Sequence, residues 1–362
     1  MKKILIPAIA SLLMTMQSSA YADTLTHVCQ ENIAISKDGK YEIPKECKIA
    51  KTIKITTSDV ELNCNDMTID GHGEKTRGLL IGGTKKSINN VSVRNCHFDN
   101  FTKNAIRITS GIAMSKWGED HEKNYKLAPS NIKLENCQAL HSGGVGIYID
   151  SYAHNITLDR ISSINSQGVG IYLEQATKNI SITNSKIIGN GSSTTRKSLR
   201  EGIAIDSSAN NYINNNTISS NAAGGIFLYK NCGEKISSNK STLRWQSSDN
   251  NIISGNIFSN EKIGVWIASR QRKNLSNWDC GDKSIDSEGK YYQDHADRNI
   301  IYNNSFNGSI IGIIVESSFN IITKNTFIKT KNAISIPSRD ILDKTNYTQQ
   351  GNEIHDNIID KK

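Results

Sequence analysis

Beyond the first two dozen residues, no stretch of this chain approaches the ~20 consecutive apolar residues that a transmembrane helix needs, which excludes a helical membrane protein. Its apolar runs are too short for helices, and they alternate with period two. No basic helix or recognised nucleic-acid motif gathers the Lys and Arg residues, which are scattered along the chain. The formal charge of +8 is therefore not the footprint of a nucleic-acid binder. Cysteine is scarce too, seven in all, and the odd count leaves at least one thiol unpaired.

The start of the chain reads as a leader. Lys2 and Lys3 precede an apolar run from Ile4 to Met14, and Ala20-Tyr21-Ala22 is a small-x-small cleavage site. Cleavage after Ala22 leaves a mature chain beginning at Asp23 with a formal charge of +6, delivered to the periplasm or outside the cell. A basic exported chain is suited to an anionic partner, because summed charge steers ligands of opposite sign.

What the chain has in abundance is repetition. Gly143-Gly144-Val145-Gly146-Ile147-Tyr148-Ile149-Asp150 returns as Gln167-Gly168-Val169-Gly170-Ile171-Tyr172-Leu173-Glu174 and again as Glu201-Gly202-Ile203-Ala204-Ile205-Asp206. The steps from Asn131 to Asn155 and from Asn155 to Asn179 are both 24 residues. A fixed period carrying short alternating Ile-rich runs predicts an all-β solenoid of stacked parallel strands, since one repeat cannot bury its inward side chains alone. Aligning the polar residue before each apolar pair picks out Asp59, Asn90, Asn131, Asn155, Asn179, Asn211, Asn251, Asn299, Asn320 and Asn352, which is about ten coils. Asn suits such positions twice over: it tolerates a left-handed turn, and stacked amides can bond along the rod. Residues 23–57 lack the phrase and are expected to form an N-terminal cap, with residues 58–362 as the helix domain.

The opening Asp59-Val60-Glu61-Leu62-Asn63-Cys64 and repeats such as Asn179-Ile180-Ser181-Ile182-Thr183-Asn184 resemble right-handed parallel β-helix proteins of the pectate-lyase-like superfamily. Within it they resemble the carbohydrate-binding and sugar-hydrolase repeat group that includes NosD-like proteins. The resemblance spans residues 50–358 and implies the fold, but this architecture hosts lyases, hydrolases, epimerases and non-enzymes. The paired-Asp and Gly-His-Gly signatures of polygalacturonase-type hydrolases are missing: Gly71-His72-Gly73 stands in the first coil beside no acid pair.

A regular solenoid spends few residues on loops, so its insertions mark where function is carried. Residues 110–130, 231–249 and 269–298 all leave the end of the same strand of the coil, whereas residues 191–200 enter from the opposite side. Between them, alternation sends an outward row along the rod: Arg107, Tyr148, Tyr172, Ala204, Phe227 and Trp266. A second row beside it holds Thr109, Asp150, Glu174, Asp206, Tyr229 and Ala268. Exposed aromatics next to carboxylates suit a sugar chain, with Arg107, Tyr148, Tyr172, Phe227, Tyr229, Lys230 and Trp266 as substrate-binding candidates; strands also favour aromatics for packing alone. Asp150, Glu174 and Asp206, ~5 Å apart from coil to coil, are open to three readings. They are a Ca²⁺ site, an acid/base pair for hydrolysis, or solvated turn residues.

The segment Asp294-His295-Ala296-Asp297-Arg298 resembles the Asp-Pro-His-Asp-Arg segment of periplasmic mannuronan C5-epimerases, with the histidine shifted and the proline missing. That resemblance implies His295 as the proton-abstracting base and Arg298 or Arg270 as the cation that neutralises a uronate carboxylate. The expected function is a secreted enzyme on an anionic, uronate-containing polysaccharide, a lyase or C5-epimerase. A glycoside hydrolase using Asp150, Glu174 and Asp206 and a non-catalytic carbohydrate-binding β-helix are the alternatives.

Among the cysteines, Cys29 and Cys47 flank the cap and are placed to staple it, and Cys96 and Cys137 fall at one repeat offset and are expected to stack. Cys232 and Cys280 follow neighbouring strands in two long polar loops, where a disulfide between them would stiffen both. Peptide mapping of exported protein under non-reducing conditions should recover the Cys232–Cys280 crosslink; free thiols at both positions would contradict it.

Overall fold

A computed structural model of the chain describes residues 24–195, 198–233, 235–268, 279, 296–337 and 349–360. The repeated phrases stack as their period requires. Ile147 pairs with Ile171, Tyr148 with Tyr172 and Ile149 with Leu173 in a parallel ladder, and the same register continues to Ile203, Ala204 and Ile205. Inward positions are sealed, with Ile147, Ile149, Ile171, Leu173, Ile203 and Ile205 wholly buried.

Each coil has three faces. One is an eleven-stranded sheet that follows chain order from Asn32–Ile35 to Asn332–Ser335. The other two merge into one twenty-stranded sheet, because the strands Val60–Asp70 and Asn89–Asp99 run unbroken around the corner between them. At ~4.8 Å per strand the eleven-stranded face is about 48 Å long. The core is a stack of Ile columns, joined toward the C-terminal end by the rings of Phe258, Phe306 and Phe327 at centroid spacings of 4.6 and 4.9 Å. No helix among the described residues is long and apolar enough to cross a membrane. The short helix His121–Leu127, capped by the Asp120 side chain on Lys123 N, lies in the 110–130 insertion.

Asparagine serves both purposes the sequence raised, but with different residues for each. Asn131, Asn155 and Asn179 hold left-handed corners. The next residue in their register is Asn210, also left-handed, since Ser181 pairs with Tyr212. The phrase alignment therefore slips by one at Asn211. That residue instead begins a buried column: Ile180 N donates to Asn211 Oδ1, Asn211 N to Asn251, Asn251 N to Asn299, Asn299 N to Asn320 and Asn320 N to Asn352, all at 2.8–3.0 Å. A second column runs through Asn216, Asn256, Asn304, Asn325 and Asn357. A third starts at Asn190 and Asn221 and meets Glu261. Each amide accepts from the coil before it and donates onward, so the corners of the coil leave few backbone donors unpaired.

Two further expectations are corrected. Residues 23–57 are not a cap without the repeat: Leu25–His27, Asn32–Ile35, Gly39–Glu42 and Thr52–Ile55 already pair in the ladders, and Cys29 is bonded to Cys47. Their phrase is masked in the sequence because outward Lys, Thr and Glu replace the Tyr and Asn of later coils. Cys137 falls in register over Cys96 as expected, but Cys96 is not a thiol: it is bonded to Cys64 one coil below, leaving Cys137 free and buried. Cys232 is disulfide-bonded; Cys280, the partner expected for it, lies outside the described residues.

Glu261 is the odd member of the third column. Its Oε1 accepts from Asn221 N and Nδ2, but a carboxylate has no N–H to pass on, and both Glu261 Oε2 and the neighbouring Ser309 Oγ are buried without a hydrogen-bond partner among the described residues. Burial pushes its carboxyl up to about 7. A raised acid stabilises the fold below the ordinary carboxyl value near 4.5, and that contribution is lost as pH rises toward 7. Glu261→Gln keeps the acceptor and adds a donor. It should raise stability at pH 8 by about 1–3 kcal/mol and leave it unchanged below pH 4. Urea midpoints of the two proteins across pH check this; curves that run parallel through the whole range would contradict it.

Candidate functional site

The outward row expected from alternation is present in register on the eleven-stranded face. Arg107 pairs with Tyr148, Tyr148 with Tyr172, Tyr172 with Ala204, Ala204 with Phe227, and Phe227 with Trp266. Tyr148 and Tyr172 stack at 5.2 Å with 9° between their planes, and Phe227 meets Trp266 edge-on. The insertions at 110–130 and 231–249 leave the ends of Asn104–Thr109 and Gly224–Tyr229, on the same side of this face. Residues 191–200 enter from the other side, where Gly191 holds a φ of +92° against Arg200 O, too close for any side chain.

The centre of this row is covered. Tyr172, Glu174, Asp206 and Phe227 are all buried, because the 231–249 segment folds back over them and lays down Arg244. Its Nη1 lies 2.7 Å from Glu174 Oε1 and 3.2 Å from Asp206 Oδ1. Tyr148 OH donates to Glu174 and Tyr172 OH to Asp206, while Asn231 gives Asp206 both its backbone and side-chain N–H. Gln246 pins the same segment to Thr177 O and Ser207 O, and Tyr125 OH reaches it from the helix. Burial alone would raise the Glu174 carboxyl, but Arg244 and the Tyr148 hydroxyl overcome it and hold it below the ordinary range. For Asp206, burial outweighs Arg244, and the charge of Glu174 beside it holds it above.

This arrangement corrects the reading of Asp150, Glu174 and Asp206 as an open trio. A guanidinium stands between Glu174 and Asp206, where a Ca²⁺ would have to sit, and no group of three or more His, Cys, Asp or Glu residues is placed to hold a metal among the described residues. The carboxylates do not fit a Ca²⁺ site. Two acids sharing one buried arginine are locked as a counter-ion group, with Glu174 and Asp206 closed to solvent.

The ends of the row stay reachable. At one end, Asp150 Oδ2 accepts from Arg107 Nη2 and Thr109 Oγ1, each at 2.6 Å, and Arg107 also lies over the Tyr148 ring. Arg77, from the strand one coil earlier, is half-buried near them, with no ion pair and with its Nε buried and unpartnered among the described residues. Burial opposes the charge on Arg107, but Asp150 more than offsets this and keeps it high. On Arg77, burial and the charge of Arg107 act together and push it down, against Asp150. Asp150 is ion-paired with Arg107 alone, and Arg77 lies close enough to feel the charge of both. At the other end, Tyr229 OH donates to Glu201, and the Trp266 N–H is buried without a partner among the described residues. Lys230 is half-buried at the strand end.

His295 and Arg270 lie outside the described residues. Arg298 does not join the row: it occupies a left-handed corner before Ile300–Tyr302, with its guanidinium over the Phe319 ring. Sequence reasoning missed Arg244 and Arg77. The signal for the first was charge balance, since three acids on neighbouring coils demanded a cation from an insertion that carries few. Arg77 sits at the start of its strand, out of phase with the outward row.

A family model described as right handed beta helix region matches residues 24–241. Among solved structures, an alginate lyase from a Paenibacillus species is 8% identical, covers 87% of this chain and 99% of its own, with a TM-score of 0.52. The A-module of a mannuronan C-5 epimerase from Azotobacter vinelandii is 12% identical, covers 94% of this chain and 91% of its own, and scores 0.53. A mutant tailspike protein of E. coli bacteriophage HK620, in complex with a pentasaccharide, is 12% identical over 92% of this chain and 55% of its own, at 0.51. No curated protein sequence matches the chain.

Removing Arg244 leaves two buried carboxylates with no cation. Arg244→Met should therefore cost about 3–5 kcal/mol of stability, and adding Glu174→Gln and Asp206→Asn to it should recover much of the loss. Urea unfolding of the single and triple variants checks this; a single variant as stable as the parent would contradict it.

Proposed function

The chain belongs to the right-handed β-helix family, and on that scaffold we propose a carbohydrate-active enzyme that works on a uronate-containing polysaccharide as a lyase or C5-epimerase. The observation that carries this reading is the half-buried Arg107–Asp150 ion pair at the end of the outward row, with the charge of Arg77, unpaired among the described residues, acting on it from the preceding coil. A uronate carboxylate placed there supplies negative charge beside the Arg107 and Arg77 guanidiniums, the first of which has Asp150 as its one ion-pair partner among the described residues. The similarity to an alginate lyase and a mannuronan epimerase, both enzymes of uronate polymers, supports the same substrate class.

The chemistry follows from that carboxylate. The proton at C5 of a uronate becomes removable when the charge that develops on the carboxylate oxygens is neutralised, and paired guanidiniums provide this electrostatic stabilisation. A base then takes the C5 proton. Expulsion of the 4-linked sugar gives a lyase, and reprotonation from the opposite face gives an epimerase. Burial, with Glu174 beside it, keeps the Tyr148 phenol protonated, so it serves as a hydrogen-bond donor rather than the base. His295, by its resemblance to the epimerase segment, is the base to test. Glycoside hydrolysis by Glu174 and Asp206 is disfavoured by their burial under Arg244. Export by the leader at residues 1–22 belongs to this proposal, supported by disulfides that persist in oxidising compartments.

The test offers the protein polymannuronate, polyguluronate, polygalacturonate and neutral glucans. Unsaturated uronate ends identify a lyase, and solvent-deuterium uptake at C5 without cleavage identifies an epimerase. Arg107→Ala and Arg77→Ala should each lower kcat/KM by about 10²–10³, with unchanged circular dichroism. Turnover of a neutral glucan with saturated reducing ends, or uronate turnover indifferent to both substitutions, would contradict the proposal. Uronate retained without turnover would mean a binding protein.

A further inference from the structure

The two insertions that rise from the eleven-stranded face meet beyond Asp150, and they enclose a cavity of about 560 Å³. That is within the roughly 300–1,000 Å³ of small-molecule sites. Its aromatic lining is sorted into two kinds. Trp117 and Tyr152 are buried and, with Tyr125, bind the insertions to the coil. Trp245 is 41% exposed, and its ring lies 4.2 Å from that of His121, nearly parallel to it. Aromatics whose only role was to join the loops would be covered like the first pair.

The polar edges of the exposed pair are already spoken for. Trp245 Nε1 donates to Tyr152 OH at 3.2 Å, and His121 Nδ1 lies 3.0 Å from the same hydroxyl. The indole orientation is therefore fixed by its rim, and with His121 stacked on one face its 41% exposure leaves the other face for a flat, partly apolar ligand. Around it stand hydroxyl and amide groups of Ser115, Asn239 and Thr242, suited to a ligand bearing many hydroxyls. Among the described residues no Lys or Arg lines the cavity, and Glu119 contributes the one carboxylate. The charge pattern is thus the reverse of that at Arg77 and Arg107.

We infer that the cleft between Trp245, His121 and Trp117 is a second saccharide-binding site, one that takes uncharged pyranose rings by stacking on the Trp245 indole. The site is separate from the arginine pair and holds whether or not that pair turns over a uronate. It implies that the polymer recognised by this protein contains neutral sugars.

The probes are cellotriose, maltotriose, laminaritriose and triacetylchitotriose, with trimannuronate as the charged control, titrated against tryptophan fluorescence and by calorimetry. At least one neutral trisaccharide should bind with Kd of about 1 mM or below, and Trp245→Ala should weaken it at least about tenfold. Trp245→Phe should retain most of the affinity, and Arg107→Ala should leave it unchanged. Because Trp245 is exposed, loss of folding is not expected, and thermal melts of each variant verify this; His121→Ala gives an independent reading of the same stack. The inference is overturned if no neutral trisaccharide binds, if binding survives Trp245→Ala, or if trimannuronate binds through Trp245 as tightly as the neutral probes. Failure of the arginine variants to affect uronate turnover bears only on the other site.

Discussion

Everything in this molecule depends on in-register stacking. A coil has no partners for its backbone except the coils before and after it, so each inward Ile and each corner amide must fall over its counterpart. The Asn columns show how strict this is. Each side chain accepts from one coil and donates to the next, and a residue that can only accept breaks the relay, as Glu261 does beside Ser309. The inward Ile columns impose the same discipline on the apolar side, where a one-residue slip would turn every side chain of a strand to the wrong face.

That discipline leaves only outward positions and insertions free to carry function. On the eleven-stranded face the outward row is spent in two ways. Its centre became a second core: Tyr172, Glu174 and Asp206 lie under Arg244, with a hydrogen bond or ion pair for each polar group named. Its end did not close: Arg107 lies over the Tyr148 ring paired with Asp150, and Arg77 near it has no ion pair among the described residues. Burial decides between these fates. A carboxylate sealed with an arginine is expensive to disturb and poorly placed to touch a substrate, whereas a half-buried cation short of a counter-ion is ready for one.

The fold was legible because its signal is local and repeated. The period of 24 residues, the Ile alternation and the outward row from Arg107 to Trp266 all reappear in register. What failed was what depends on contacts distant in sequence. The disulfide from Cys64 to Cys96 joins adjacent coils through residues at different offsets from their phrases. Asn211 and Asn210 are neighbours with opposite roles, and only pairing with the previous coil tells the corner residue from the column residue. Arg244 lies 70 residues from Glu174, in an irregular segment with no period to read. The acids were found, but their burial was not, because nothing in the repeat says that an insertion folds back rather than standing clear.

The central claim is that the arginine pair at the end of the outward row receives the carboxylate of a uronate sugar. Its most direct test is a crystal structure of the protein soaked with a mannuronate or guluronate tetrasaccharide. The account predicts one sugar carboxylate within hydrogen-bond distance of the Arg107 guanidinium and beside that of Arg77, with that ring next to Tyr148. An oligosaccharide bound elsewhere on the rod, or bound here with its carboxylate turned to solvent and the arginines untouched, would contradict it.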